Sequence, residues 1–140
     1  MKLLELTVSR TIDATPEQVF DAWIDPSSLG AWFGASRVIM NPIVDGLYYI
    51  GVEYQGRTWP HYGRFLRIER PRHIEQTWMS ESTRGLESIV TLTIEPRGDR
   101  VELTIRHTGL PDDEEGRKHQ EGWTSLLEAI GAQLAAGGSR

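Results

Sequence analysis

The stretch that most constrains this chain runs from Asp113 to Leu134 and reads DEEGRKHQEGWTSLLEAIGAQL. His119, Trp123, Leu126, Leu127, Ile130 and Leu134 recur at three- and four-residue steps, the spacing of one helical face. Asp112 or Asp113 is placed to cap the start, Glu114 and Glu115 sit where the helix dipole favours anions, and Pro111 and Gly137-Gly138 bracket the segment. A helix of about 22 residues is roughly 33 Å long, enough to cross a whole small domain. Its apolar face needs a cover, and nearly everything before it is strand-like. The chain is therefore expected to fold as a sheet wrapped around this one helix. Gly116 and Gly122 interrupt it, each costing roughly 1 kcal/mol relative to Ala. Close packing against the sheet is the expected reason, with approach of a ligand or lid as the alternative.

Upstream, the period changes from 3.6 to 2. Lys2 to Ile12 alternates, with Leu4, Leu6, Val8 and Ile12 on one side, as in a half-buried strand. Thr15-Pro16-Glu17-Gln18 combines an N-cap, a proline at the first helical position and the closing residue of a capping box. A short helix to about Ile24 follows, stopped by Asp25-Pro26, and a second runs to Phe33-Gly34. Turn residues then divide the chain into strands at Ser36–Met40, Leu47–Tyr54, Trp59–Ile68, His73–Ser80, Leu86–Glu95 and Val101–Thr108. The last two each have one oily face, so the sheet is covered on one side only. In Trp59–Ile68 the phase is ambiguous, because Trp59, Tyr62, Phe65, Leu66 and Ile68 fall on both faces. The expected fold class is α+β: a curved antiparallel sheet of about six to seven strands around a long C-terminal helix, with two short helices after strand one. A long helix over a concave sheet cannot fill the hollow at both ends, so an apolar cavity is expected.

At 140 residues the chain is read as one domain, 1–140. A net charge of -5 argues against nucleic acid and anionic membranes as partners. The absence of Cys excludes disulfides, thiol nucleophiles and cysteine-ligated metal. Glu5 interrupts any signal-peptide core and no apolar run reaches membrane-spanning length, so a cytoplasmic protein is expected, monomeric or weakly dimeric. The tail Ala135–Arg140 is expected to fray.

Four histidines, His61, His73, His107 and His119, show no metal-ligand spacing, and neither metal nor cofactor is expected. His107 ends a strand on its inner face and His119 lies on the apolar side of the helix. The two could meet at one end of the cavity as an acid–base pair, although hydrogen bonding to backbone is the simpler expectation. Gln76 falls in phase between Ile74 and Trp78, so its amide points into an oily face and needs partners: a ligand carbonyl, Tyr62 or water. Trp32, Phe33, Tyr62, Trp78, Trp123 and Leu127 complete the expected lining. Asp113–Arg117 and Glu114–Lys118 are spaced as helix ion pairs. No catalytic residues are assigned, since no hydrolase, P-loop or dinucleotide motif is present.

Several phrases together resemble the START/Bet v-type helix-grip superfamily, also called SRPBCC. They are Thr15-Pro16-Glu17-Gln18-Val19-Phe20-Asp21-Ala22-Trp23, Ala31-Trp32-Phe33-Gly34, Gly63 with Ile68-Glu69-Arg70-Pro71 and Thr77-Trp78, and His107-Thr108-Gly109-Leu110-Pro111 followed by His119-Gln120-Glu121-Gly122-Trp123. Within that superfamily the chain is similar to single-domain homologues of the Hsp-90 ATPase activator C-terminal domain. The resemblance implies a hydrophobic pocket between sheet and helix, in a family of ligand binders, cyclases and chaperone partners. The full co-chaperone has a further N-terminal domain, whereas this chain begins at the first strand, so activation of the chaperone ATPase is not expected. The leading expectation is non-catalytic binding of a small hydrophobic molecule. The alternatives are a chaperone-interacting domain and a polyketide cyclase or aromatase using His107, Gln76 or Tyr62.

Overall fold

The structure, a computed structural model, describes residues 3–137. Strand β1 is Leu3–Ile12, followed by helices α1 (Pro16–Ile24) and α2 (Pro26–Phe33). Strands β2 (Ala35–Met40), β3 (Leu47–Tyr54), β4 (Arg57–Glu69), β5 (His73–Trp78), β6 (Ser88–Arg97) and β7 (Arg100–Pro111) precede helix α3 (Glu114–Gly137). The seven strands form one antiparallel sheet in the order β1-β7-β6-β5-β4-β3-β2, curved around α3. The expected α+β helix-grip architecture is therefore present. Lys2 and the last three residues of the tail, Gly138 to Arg140, lie outside the described residues; α3 itself continues past Leu134 to Gly137. None of the described helices is long and apolar enough to cross a membrane.

The short helices start as their caps dictate. Gln18 N donates to Thr15 Oγ1 at 3.2 Å and Thr15 N to Gln18 Oε1 at 2.8 Å, the reciprocal capping box. Asp25 ends α1 and caps α2, accepting from Ser28 N at 3.0 Å. Val19, Phe20, Ala22 and Trp23 of α1 are buried. Arg70, in the β4–β5 turn, pairs with Asp21 at 2.7 Å and lies over the Phe20 ring, which ties α1 to the sheet.

The sheet departs from plain alternation twice. Phe65 pairs with Gln76 but Arg67 with Glu75, so β4 carries one extra residue at Leu66. Odd residues face inward up to Phe65; after the bulge Ile68, opposite Ile74, does so. This bulge is why the phase of that segment is unreadable from alternation. In β7, Leu4 pairs with Leu110 but Leu6 with His107, again one residue extra. Gly109 takes φ +79°, a conformation that suits glycine, and returns Leu110 to the core side, where it is fully buried. The strand thereby extends to Pro111, beyond the expected end at Thr108.

Two other expectations are corrected. Leu86 and Glu87 are not strand: Ser80 and Thr83 close a 3-10 turn at Glu81–Thr83, which leads into β6 at Ser88. Asp113 does not pair with Arg117. It caps α3, accepting from Gly116 N at 2.8 Å, and pairs with Arg84 at 2.8 Å, while Arg117 reaches Asp112 at 3.1 Å. The cap turns Asp113 toward the helix's own N–H groups, which leaves Arg117 to the next carboxylate. Glu114–Lys118 does form, at 3.7 Å.

The two helix glycines answer to different causes. A Cβ on Gly116 would stand 1.8 Å from the Pro111 carbonyl oxygen, so the first turn of α3 closes on the end of β7 only with glycine there. A Cβ on Gly122 would meet nothing within 4 Å. Gly122→Ala is therefore expected to stabilise the fold by about 1 kcal/mol through helix propensity. Gly116→Ala should destabilise it by at least about 2 kcal/mol, because backbone must move to relieve the overlap. Urea midpoints of the two variants shifting in the same direction would refute this assignment.

Candidate functional site

The concave face of the sheet is filled at one end and open at the other. The filled end is aromatic. Trp23 stacks on Trp123 with centroids 6.1 Å apart and tilts against Trp32 at 5.4 Å, and Trp78 meets Trp123 at 5.1 Å. Each buried indole N–H of this group that meets an acceptor does so inside the protein. Trp32 Nε1 donates to Ala22 O at 2.7 Å, Trp23 Nε1 to Gln76 Oε1 at 2.7 Å, and Trp123 Nε1 to His107 Nδ1 at 3.0 Å.

His107 is the centre of a closed polar chain. It is fully buried. Ser88 Oγ lies 2.5 Å from Trp78 O, to which it must donate, and 2.7 Å from His107 Nε2, from which it therefore accepts. Nε2 thus carries the ring hydrogen, and Nδ1 is the lone pair that receives the Trp123 N–H. Burial, and secondly the neighbouring His119, push the pKa of His107 down to about 3. It is a neutral, fully partnered imidazole.

At the open end lies a cavity of about 360 Å³. Phe33 from the end of α2, Val52 of β3, His61 of β4 and Trp78 of β5 form one side. Ser80 and Ser82 of the 3-10 turn border it, and His119, Gly122, Trp123, Ser125 and Leu126 of α3 close it. The α3 contributors follow the three- and four-residue steps of the helix. His61 enters because β4 is in odd phase before its bulge, and its ring lies 5.4 Å from that of Trp78 and 5.9 Å from Phe33. Burial is the main cause holding the His61 pKa below its usual value, with His119 adding to it against the raising effect of the Ile50 and Trp59 backbone. Among the described residues no group of three or more His, Asp or Glu is placed to hold a metal ion.

Of the nine residues expected to line the pocket, Phe33, Trp78, His119 and Trp123 do so. Trp32, Gln76, His107 and Leu127 are buried behind that wall. Gln76 is paired with Trp23 rather than Tyr62, and its amide also faces the Tyr48 hydroxyl, which donates to Thr77 O at 2.5 Å. The remaining one, Tyr62, is 46% exposed and lies on the outer face beside Tyr49, at 5.5 Å, so it is not brought to the cavity. The reason is strand parity: Tyr62 is even-numbered in the odd-inward part of β4. Val52, His61, Ser80, Ser82, Gly122, Ser125 and Leu126 also line it and are not among the nine. Readable signals exist for Leu126, on the apolar stripe of the helix, for Gly122, where approach of a ligand is the stated alternative, and for His61, which alternates with Trp59 and Phe65.

Residues 13–135 match the family model of activator of Hsp90 ATPase homolog 1-like protein. No curated protein matches the chain. Among solved structures, protein CV1439 from Chromobacterium violaceum is similar with a TM-score of 0.81 at 23% identity, over 93% of this chain and 96% of that one. Protein SA2116 of Staphylococcus aureus superposes with a TM-score of 0.85 at 12% identity, over 99% and 98%. An HSP90 activator from Plasmodium falciparum is similar with a TM-score of 0.79 at 20% identity, over 94% and 96%. At these identities the likeness is one of fold.

Proposed function

The chain belongs to the activator of Hsp90 ATPase homolog 1-like family, and from that premise we propose that it is a binding module that holds a small, mainly apolar molecule between the sheet and α3 without transforming it. The cavity carries this reading. Its volume of about 360 Å³ lies within the range of small-molecule sites. Its walls are largely Phe33, Val52, Trp78, Trp123 and Leu126, and none of its lining residues is Lys, Arg, Asp or Glu. The polar groups of the core do not point to chemistry at that place, since His107 and Gln76 are engaged by Trp123, Ser88 and Trp23.

Gly122 provides a variant that fills the cavity without disturbing the core, because its side-chain direction is open. Native mass spectrometry of freshly purified protein should show a stoichiometric small-molecule adduct, and Gly122→Leu should lose it while melting no lower than the native protein. An adduct retained in Gly122→Leu would place the molecule elsewhere and overturn the reading.

Family membership favours a second reading, contact with an Hsp90-type chaperone. Such contact would use the outer surface rather than the cavity. Chaperone recovered equally well by the native protein and by Gly122→Leu would assign that activity to the outside of the domain.

A further inference from the structure

We propose that the cavity selects a flat, uncharged molecule that brings a hydrogen-bond donor, of the class of hydroxylated aromatics, and that Nε2 of His119 receives it. This rests on the binding reading above and specifies its ligand class.

His119 Nδ1 lies 3.0 Å from the Glu115 carbonyl oxygen and 3.2 Å from that of Gly116. A carbonyl oxygen offers only lone pairs, so Nδ1 carries the hydrogen and the neutral ring keeps its lone pair on Nε2. With Nδ1 turned back onto the helix, Nε2 is on the far side of the ring. Among the described residues nothing is hydrogen-bonded to it. His61 is held in the same sense, with Nδ1 3.2 Å from Ile50 O and the Trp59 backbone also facing the ring. Both rings line the cavity, and the acceptor it offers is Nε2 of His119. The third imidazole, His107, packs edge-on to His119 at 5.2 Å but is closed by its own partners.

The rest of the lining agrees with this polarity. Ser80, Ser82 and Ser125 can both donate and accept, so they do not discriminate. An anionic ligand would find no lining cation and would face the cost of leaving water unpaired. Phe33, Trp78 and Trp123 supply faces for a planar ring. Gly122, three residues beyond His119, puts no side chain into the cavity, and a Cβ there would meet nothing within 4 Å.

Three probes of nearly one shape decide the matter: naphthalene, 2-naphthol and 2-naphthoate, titrated into the native protein by tryptophan fluorescence at pH 8, above the ordinary range of an imidazole. The expected order is 2-naphthol roughly 3- to 10-fold tighter than naphthalene, the worth of one net hydrogen bond, with 2-naphthoate the weakest. In His119→Phe the naphthol-to-naphthalene ratio should fall to about one. Naphthoate binding tightest, or a ratio that His119→Phe leaves unchanged, would overturn the inference. Equal binding of naphthalene and naphthol by the native protein would also overturn it, while leaving the binding reading in place. Binding of none of the three would remove both.

Discussion

Acidification from pH 7 to pH 4 is expected to cost the folded protein roughly 3 kcal/mol through His107 alone. Its pKa is about 3 in the fold against an ordinary value of 6.5. Between those values the unfolded chain holds a proton at this residue that the folded chain does not. Stability must therefore fall as pH falls, by up to ~1.4 kcal/mol per pH unit, and the loss is complete only below pH 3. The contribution is fully present above pH 6.5. The physical cause is that His107 is sealed from water and its Nδ1 lone pair is already taken by the Trp123 N–H, so a proton arriving there displaces that bond. His107→Gln keeps an acceptor for Trp123 and a donor for Ser88 but does not titrate. Urea unfolding of both proteins at pH 7, 5.5 and 4 separates this effect from that of the carboxylates. Identical pH slopes in the two proteins would show that His107 is not the group responsible.

Truncating Trp123 should be the most damaging single change at the site. Trp123→Ala is expected to cost about 5 kcal/mol or more. Removing a large buried aromatic accounts for about 3–5 kcal/mol, and the orphaned acceptor on His107 for a further ~1–3 kcal/mol. The residue is 2% exposed and touches Trp23, Trp78 and His107 at once. Trp123→Phe separates the two contributions, since it keeps a ring against Trp78 and removes only the N–H and part of the volume. Its cost should lie at about 2–3 kcal/mol. Equilibrium denaturation at pH 7 measures both. A Phe variant as stable as the native protein would mean that the Trp123–His107 bond contributes nothing net.

Most of the fold was legible because its signals are local. The capping box at Thr15 and Gln18, the stop at Asp25-Pro26, the oily alternation of Val101, Leu103, Ile105 and His107, and the stripe of α3 each depend on residues a few positions apart. Legibility failed where one residue was inserted. The extra residue at Leu66 reverses the phase of β4, so apolar residues fall on both faces of the segment and alternation alone does not choose between His61, which lies inward, and Tyr62, which lies outside. The serines at positions 80 and 82 were missed for a related reason: a 3-10 turn has no period long enough to read. Buried polar groups were partly legible. Strand phase placed Gln76 and His107 inside, but strand phase carries no information about partners 53 and 16 residues away.

The amino-acid sequence by itself determined the elements, their order, the faces they bury and hence a sheet that must close on a long helix, because each of these follows from periodicity and caps acting over a turn or two. How much of the inner face is filled follows only from the folded whole. Four indoles could have filled the whole hollow. They fill one end because Gln76, His107 and Ala22 hold Trp23, Trp123 and Trp32 there by their N–H groups. The space left beside His61 and His119 is a difference between the volume enclosed by the curved sheet and the volume of the side chains that reach it. Such a difference depends on how all the strands and helices are placed together, and no segment of the chain contains it.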